Sequence, residues 1–104
     1  MSVMTQIRAE RDATRARCLD QAWSAICARL SGSGARLQRF GSSARGTARR
    51  HSDLDIMVLG EVPAQLRTEI ERAVADASRD LDVVVDLLYS VDFTPRDLEA
   101  LLAD

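Results

Sequence analysis

GSSARGTARRHSDLDIMVLG, Gly41 to Gly60, is the stretch from which the rest of the chain is read. Its second half, Asp53 to Gly60, begins with two acids and turns apolar, the pattern of a strand that becomes buried in the middle of a sheet. Side chains alternate along a strand, so Asp53 and Asp55 fall on one face with their Cα atoms about 6.6 Å apart. Its first half opens on Gly41-Ser42, where a glycine lets backbone approach a neighbour closely. A short basic helix or loop then leads to the acids.

Upstream, Ala35 to Phe40 alternates and suits a short strand, and Ser31 to Gly34 reads SGSG, a helix stop and loop. Before it, Arg8 to Leu30 is Ala/Arg-rich, with Leu19, Ala22, Trp23, Ile26 and Leu30 on one helical face. Downstream, Pro63 is placed to open a helix whose apolar stripe is Leu66, Ile70, Ala73, Val74 and Ala77. Leu81 to Tyr89, LDVVVDLLY, is β-branched and reads as a third strand, with Asp82 and Asp86 on one face. Thr94-Pro95 starts a closing helix carrying Leu98, Leu101 and Leu102, with Asp97 completing a capping pair. The expected order is α-β-α-β-α-β-α: an α/β (α+β) fold in which a small mixed sheet is flanked by helices.

The chain has 104 residues, the length of one domain over 1–104. Hydrophobic residues make up 46% and charged residues 29%, the balance of a globular chain. A domain of this size buries only about 60–65% of its unfolded surface, so its core is thin and a partner surface would help it. The net charge of −2 gives no sign of nucleic-acid or membrane binding. No apolar run approaches the ~20 residues that span a bilayer, and the polar start is unlike a signal peptide, so the chain reads as cytoplasmic. Cys18 and Cys27, nine residues apart on one helix, lie about 13.5 Å apart along its axis, too far for a disulfide.

The residues that carry chemistry are the acids and the turn before them. Carboxylates at the Asp53–Asp55 spacing can converge on a pair of cations, the usual clamp for in-line phosphoryl transfer. Mg²⁺ suits that work because it takes few carboxylates and fills its other positions with phosphate oxygens and water. A third acid belongs to the same cluster if the last strand neighbours that of Asp53. Asp86, mid-strand in an apolar run, and Asp82, at the start of that run, both fit. Gly41 and Ser42 can offer backbone N–H groups and a hydroxyl to phosphate, and Arg45 a charged donor. Arg49 and Arg50 extend a basic rim, and His51, the sole histidine, reads as a solvated loop residue.

This arrangement resembles the signature of the minimal nucleotidyltransferase (MNT) family of the DNA polymerase beta superfamily: Gly-Ser, ten residues, then Asp-x-Asp. The matching residues are Gly41, Ser42, Ala44-Arg45-Gly46, Ser52, Asp53 and Asp55, and Val85-Asp86-Leu87 matches the family's later strand. The resemblance covers residues 35–104. It implies a nucleotidyltransferase (polymerase beta-like) fold, with Asp53, Asp55 and Asp86 as catalytic, metal-holding residues. It also implies Gly41, Ser42, Arg45 and Ser52 as nucleotide contacts, two Mg²⁺ ions, and ATP as substrate. Many members are similar to antitoxins that add AMP to a tyrosine of a HEPN-domain toxin, so a HEPN partner is implied, and a homodimer is also compatible with the sequence. The rival readings are a binding module that neutralises its partner by contact alone, and a small-molecule or tRNA nucleotidyltransferase.

Overall fold

Ile56, Met57 and Val58 are completely buried, and the strand that holds them is the middle one of a three-stranded sheet, as its apolar second half predicts. The structure, a computed structural model, describes residues 3–45 and 53–103. These run α1 (Val3–Arg29), β1 (Leu37–Phe40), α2 (Gly41–Ala44), β2 (Leu54–Val58), α3 (Ala64–Leu81), β3 (Val85–Tyr89), a 3-10 turn (Ser90–Asp92) and α4 (Pro95–Leu102). The sheet is mixed. β1 runs antiparallel to β2, with Phe40 opposite Asp55. β3 runs parallel to β2 through the α3 crossover, with Asp86 opposite Asp55.

One face of the sheet makes the core. Leu54, Ile56 and Val58 pack with Leu19, Ala22 and Ile26 of α1 and with Ile70, Ala73, Val74 and Ala77 of α3. Each large aliphatic side chain buried there stabilises the fold by about 1.5–3 kcal/mol. Strand alternation then turns Asp55 and Met57 to the opposite face. The core thus fixes the direction of the acid by using the residues on either side of it.

Several element boundaries differ from the expected ones, and β2 keeps only Leu54–Val58 of the expected Asp53–Gly60. α1 begins at Val3 rather than Arg8, because nothing in VMTQI breaks a helix. Only Leu19, Ala22 and Ile26 of α1 are buried. Its first turns therefore project, with Val3 and Met4 exposed at 69% and 62%. The molecule measures 51 × 31 × 17 Å, with a radius of gyration of 15.1 Å; a compact domain of this length would have about 13 Å. β1 is shorter than expected, beginning at Leu37 rather than Ala35. Pro63 is the extended cap in front of α3 rather than its first residue. β3 starts at Val85, not Leu81, since α3 runs on to Leu81 and Asp82 ends it in the left-handed conformation (φ 52°). Thr94 caps α4 as expected, its hydroxyl accepting the Asp97 N–H at 3.2 Å. Both cysteines are free. Among the described residues no helix is long and apolar enough to cross a membrane.

Candidate functional site

The parallel register of β2 and β3 sets Asp55 and Asp86 side by side. Asp55 is half-buried and Asp86 exposed. Their carboxyls are close enough to share a hydrogen bond, and Asp53, one residue ahead of β2, lies within electrostatic reach of both the strand and Asp55. Partial burial, then the Asp86 charge and hydrogen bond, and last Asp53 push the Asp55 carboxyl up to about 6. Two carboxylates at one place resist ionising together, and here the fold holds them there.

The Gly41 turn closes on the same carboxylate. Phe40 ends β1 in an extended conformation (φ −143°), and Gly41 then swings to φ 77° to begin α2. A β-carbon at Gly41 would stand 2.2 Å from Asp55 Oδ2 and 3.1 Å from its Cγ. Both the backbone angle and the lack of space require glycine. Ser42 follows, half-buried, and Arg45 ends α2, its N–H donating to the Gly41 carbonyl at 3.3 Å. Gly41 and the Asp55 carboxylate, well separated in sequence, are thus in van der Waals contact. Ser52 lies outside the described residues, as do Gly46, Arg49, Arg50 and His51.

Asp82 stands outside β3, as the left-handed cap of α3. Its carbonyl accepts a hydrogen bond from Arg15 Nη1 at 3.2 Å, on the α1 side of the molecule. Of the two acids that alternation alone left open, Asp86 is the one paired with Asp55. Asp86→Ala is therefore expected to be as inactive as a substitution in β2, while Asp82→Ala keeps near-normal activity in a nucleotide-labelling assay. The reverse pattern would assign the third carboxylate to Asp82.

Among the described residues no three acidic, histidine or cysteine side chains are already gathered closely enough to grip an ion. The donor set nonetheless fits a hard divalent cation. It is all carboxylate oxygen, it is open to solvent at Asp86, and its mutual repulsion is what a positive charge would relieve. Without such a charge the repulsion has a measurable sign. Asp55 binds its proton more tightly folded (about 6) than unfolded (3.8), so its contribution favours the folded state at low pH and is lost as pH rises through about 6. After solvent screening of a half-open site the effect is about 1 kcal/mol, or about 4–8 °C in melting temperature. In metal-free buffer the protein should melt higher at pH 5 than at pH 7.5, and Asp55→Asn should remove that difference.

One member of the site had no sequence signal. Arg39 of β1 donates through Nε to Ser43 Oγ of α2 (3.1 Å) and through Nη1 to Asp20 Oδ1 of α1 (2.8 Å). Nothing in the spacing of these three residues announces the contact, because it joins three elements.

Comparison with known proteins bears on the fold as a whole. The family model described as a nucleotidyltransferase domain matches residues 19–101. A solved structure described as a "putative minimal nucleotidyltransferase" is similar to the whole chain, with 33% identity and a TM-score of 0.57, covering 100% of this chain and 93% of that one. No curated protein gives a match.

Proposed function

Because the chain belongs to the nucleotidyltransferase domain family, we propose that it transfers AMP from ATP to a hydroxyl group, in the presence of Mg²⁺. The observation that carries this reading is the contact between the Gly41 backbone and the Asp55 carboxylate, with Asp86 in register beside it. A phosphate-binding turn and a carboxylate cluster in contact are what the transfer of a phosphoryl group requires.

Asp53, Asp55 and Asp86 would hold two Mg²⁺ ions, which when bound supply charge neutralisation for the triphosphate. Gly41 and Ser42 present the α2 turn to the triphosphate, and Arg45 and Ser52 add donors at its edge. The acceptor hydroxyl oxygen bonds to the α-phosphorus as the bond from that phosphorus to the α,β-bridging oxygen breaks. Pyrophosphate leaves with the bonding pair, and the hydroxyl proton passes to the Asp86 carboxylate. That acid suits the role because it is exposed, at the open side of the pair.

For the acceptor we propose a tyrosine of a HEPN-type toxin, with this chain as its cytoplasmic antitoxin. The resemblance to the MNT family supports that choice, as does the surface left uncovered. No residue of α4 is buried, so the Leu98, Leu101 and Leu102 stripe is only half-covered, and the projecting turns of α1 add Val3 and Met4. Intact-mass spectrometry of a co-expressed HEPN protein tests the proposal. Increments of one or more AMP units, lost with Asp53→Asn, are expected. An unmodified partner that is still neutralised by Asp53→Asn would establish the contact-only antitoxin instead.

A further inference from the structure

The geometry points to Arg39 as a positioning residue that holds the α2 turn at its distance from Asp55. α2 is four residues long, and its first residue is preceded by Phe40, which offers no side-chain cap. A single helical turn does not stand on its own backbone bonds in water. Side-chain contacts help to fix it. Gly41 rests against the Asp55 carboxylate at one end. At the other end Ser43, 7% exposed, accepts a hydrogen bond from Arg39 Nε.

The guanidinium is itself held from its other edge. Nη1 of Arg39 pairs with Asp20 Oδ1 at 2.8 Å, and the Arg39 side chain is only 15% exposed against 67% for Asp20. Arg39 therefore makes two bonds in two directions, one to the turn and one to α1, an arrangement that requires a planar fork. A lysine ammonium at the end of a flexible stem does not reproduce it. Asp20 follows directly after Leu19, which is completely buried in the core. The turn is thus tied through Arg39 to the part of α1 that the core holds most firmly.

The consequence for activity rests on the reading of α2 as the triphosphate-binding turn. A turn released from Ser43 would drift relative to the carboxylates, and ATP binding would weaken while the acids themselves stayed intact. The consequence for the turn alone does not need that reading.

The test uses the full chain, Arg39→Lys, Ser43→Ala and the double variant. Hydrogen exchange at the amides of Ala44 and Arg45 should quicken about tenfold or more in each single variant, with β2 and α3 unchanged. The double variant should be no faster than the singles, since both remove the same bond. The KM for ATP should rise about fivefold or more with kcat within about twofold. Unchanged exchange in α2, or equal acceleration throughout the protein, would overturn the assignment. Local acceleration in a protein whose wild type neither binds nor turns over ATP would leave the brace standing and overturn the proposed reaction.

Discussion

Asp53→Asn and Asp55→Asn are expected to lose nucleotide labelling about a thousandfold while the protein stays folded. The loss follows from what the carboxylates would do. Holding a cation on a transferring phosphoryl group is worth several kcal/mol of barrier, and each ~1.4 kcal/mol is a factor of ten. Asparagine keeps the shape of aspartate but not its charge. The fold survives because the packing comes from Leu54, Ile56 and Val58 on the other face of β2. In metal-free buffer at pH 7.5 the variants should be as stable as the wild type or more so, the Asp55 variant most clearly, since it removes the charge crowded by Asp86 and Asp53. Labelling with α-phosphate-labelled ATP, beside thermal melts, separates the two effects. More than a tenth of wild-type labelling in both variants would mean that these acids do not hold the reacting metal.

Gly41→Ala should be the most damaging change outside the acids. An alanine at φ 77° carries backbone strain of about 1–3 kcal/mol. Its β-carbon must also displace the Asp55 carboxylate, whose Oδ2 stands 2.2 Å from where it would lie. Displacement of a reacting group by about 1 Å can cost about a hundredfold in rate, and labelling should fall by about that much. Gly34 supplies the control. It has φ 90° but nothing within 4 Å of a β-carbon, so Gly34→Ala bears comparable backbone strain without touching the site. It should lose stability and keep its labelling. Equal labelling by both variants would show that the contact between the turn and Asp55 does not matter to the reaction.

These two predictions draw on different depths of the sequence. The Gly41-Ser42 and Asp53-x-Asp55 spacings, and the alternation of β2, were legible because each is a local pattern with a fixed period. The element order followed from the same periods. The ends of elements were less legible. The apolar stripe of α1 marks only where it is packed, from Leu19 on, whereas helix propensity carries it back to Val3. The Val83-Val84-Val85 run made Leu81 and Asp82 look extended, yet α3 persists to Leu81 and a tolerant Asp takes the left-handed turn. That single residue decided which acid could join Asp55. Alternation alone offered both; the family resemblance pointed to Asp86, and the register of β3 against β2 sets that acid beside Asp55. The Arg39 contacts to Asp20 and Ser43 lay beyond any periodic reading, since tertiary approach alone creates them.

The projecting turns of α1 also govern how the molecule moves through solution. A body of 51 × 31 × 17 Å tumbles and diffuses with the friction of its long axis, not that of a sphere of equal mass. Against globular standards on a sizing column, a single copy elutes early, in the direction of a dimer. Its stoichiometry, alone or beside a partner, is therefore a matter for light scattering or sedimentation equilibrium, which weigh the particle without regard to its shape.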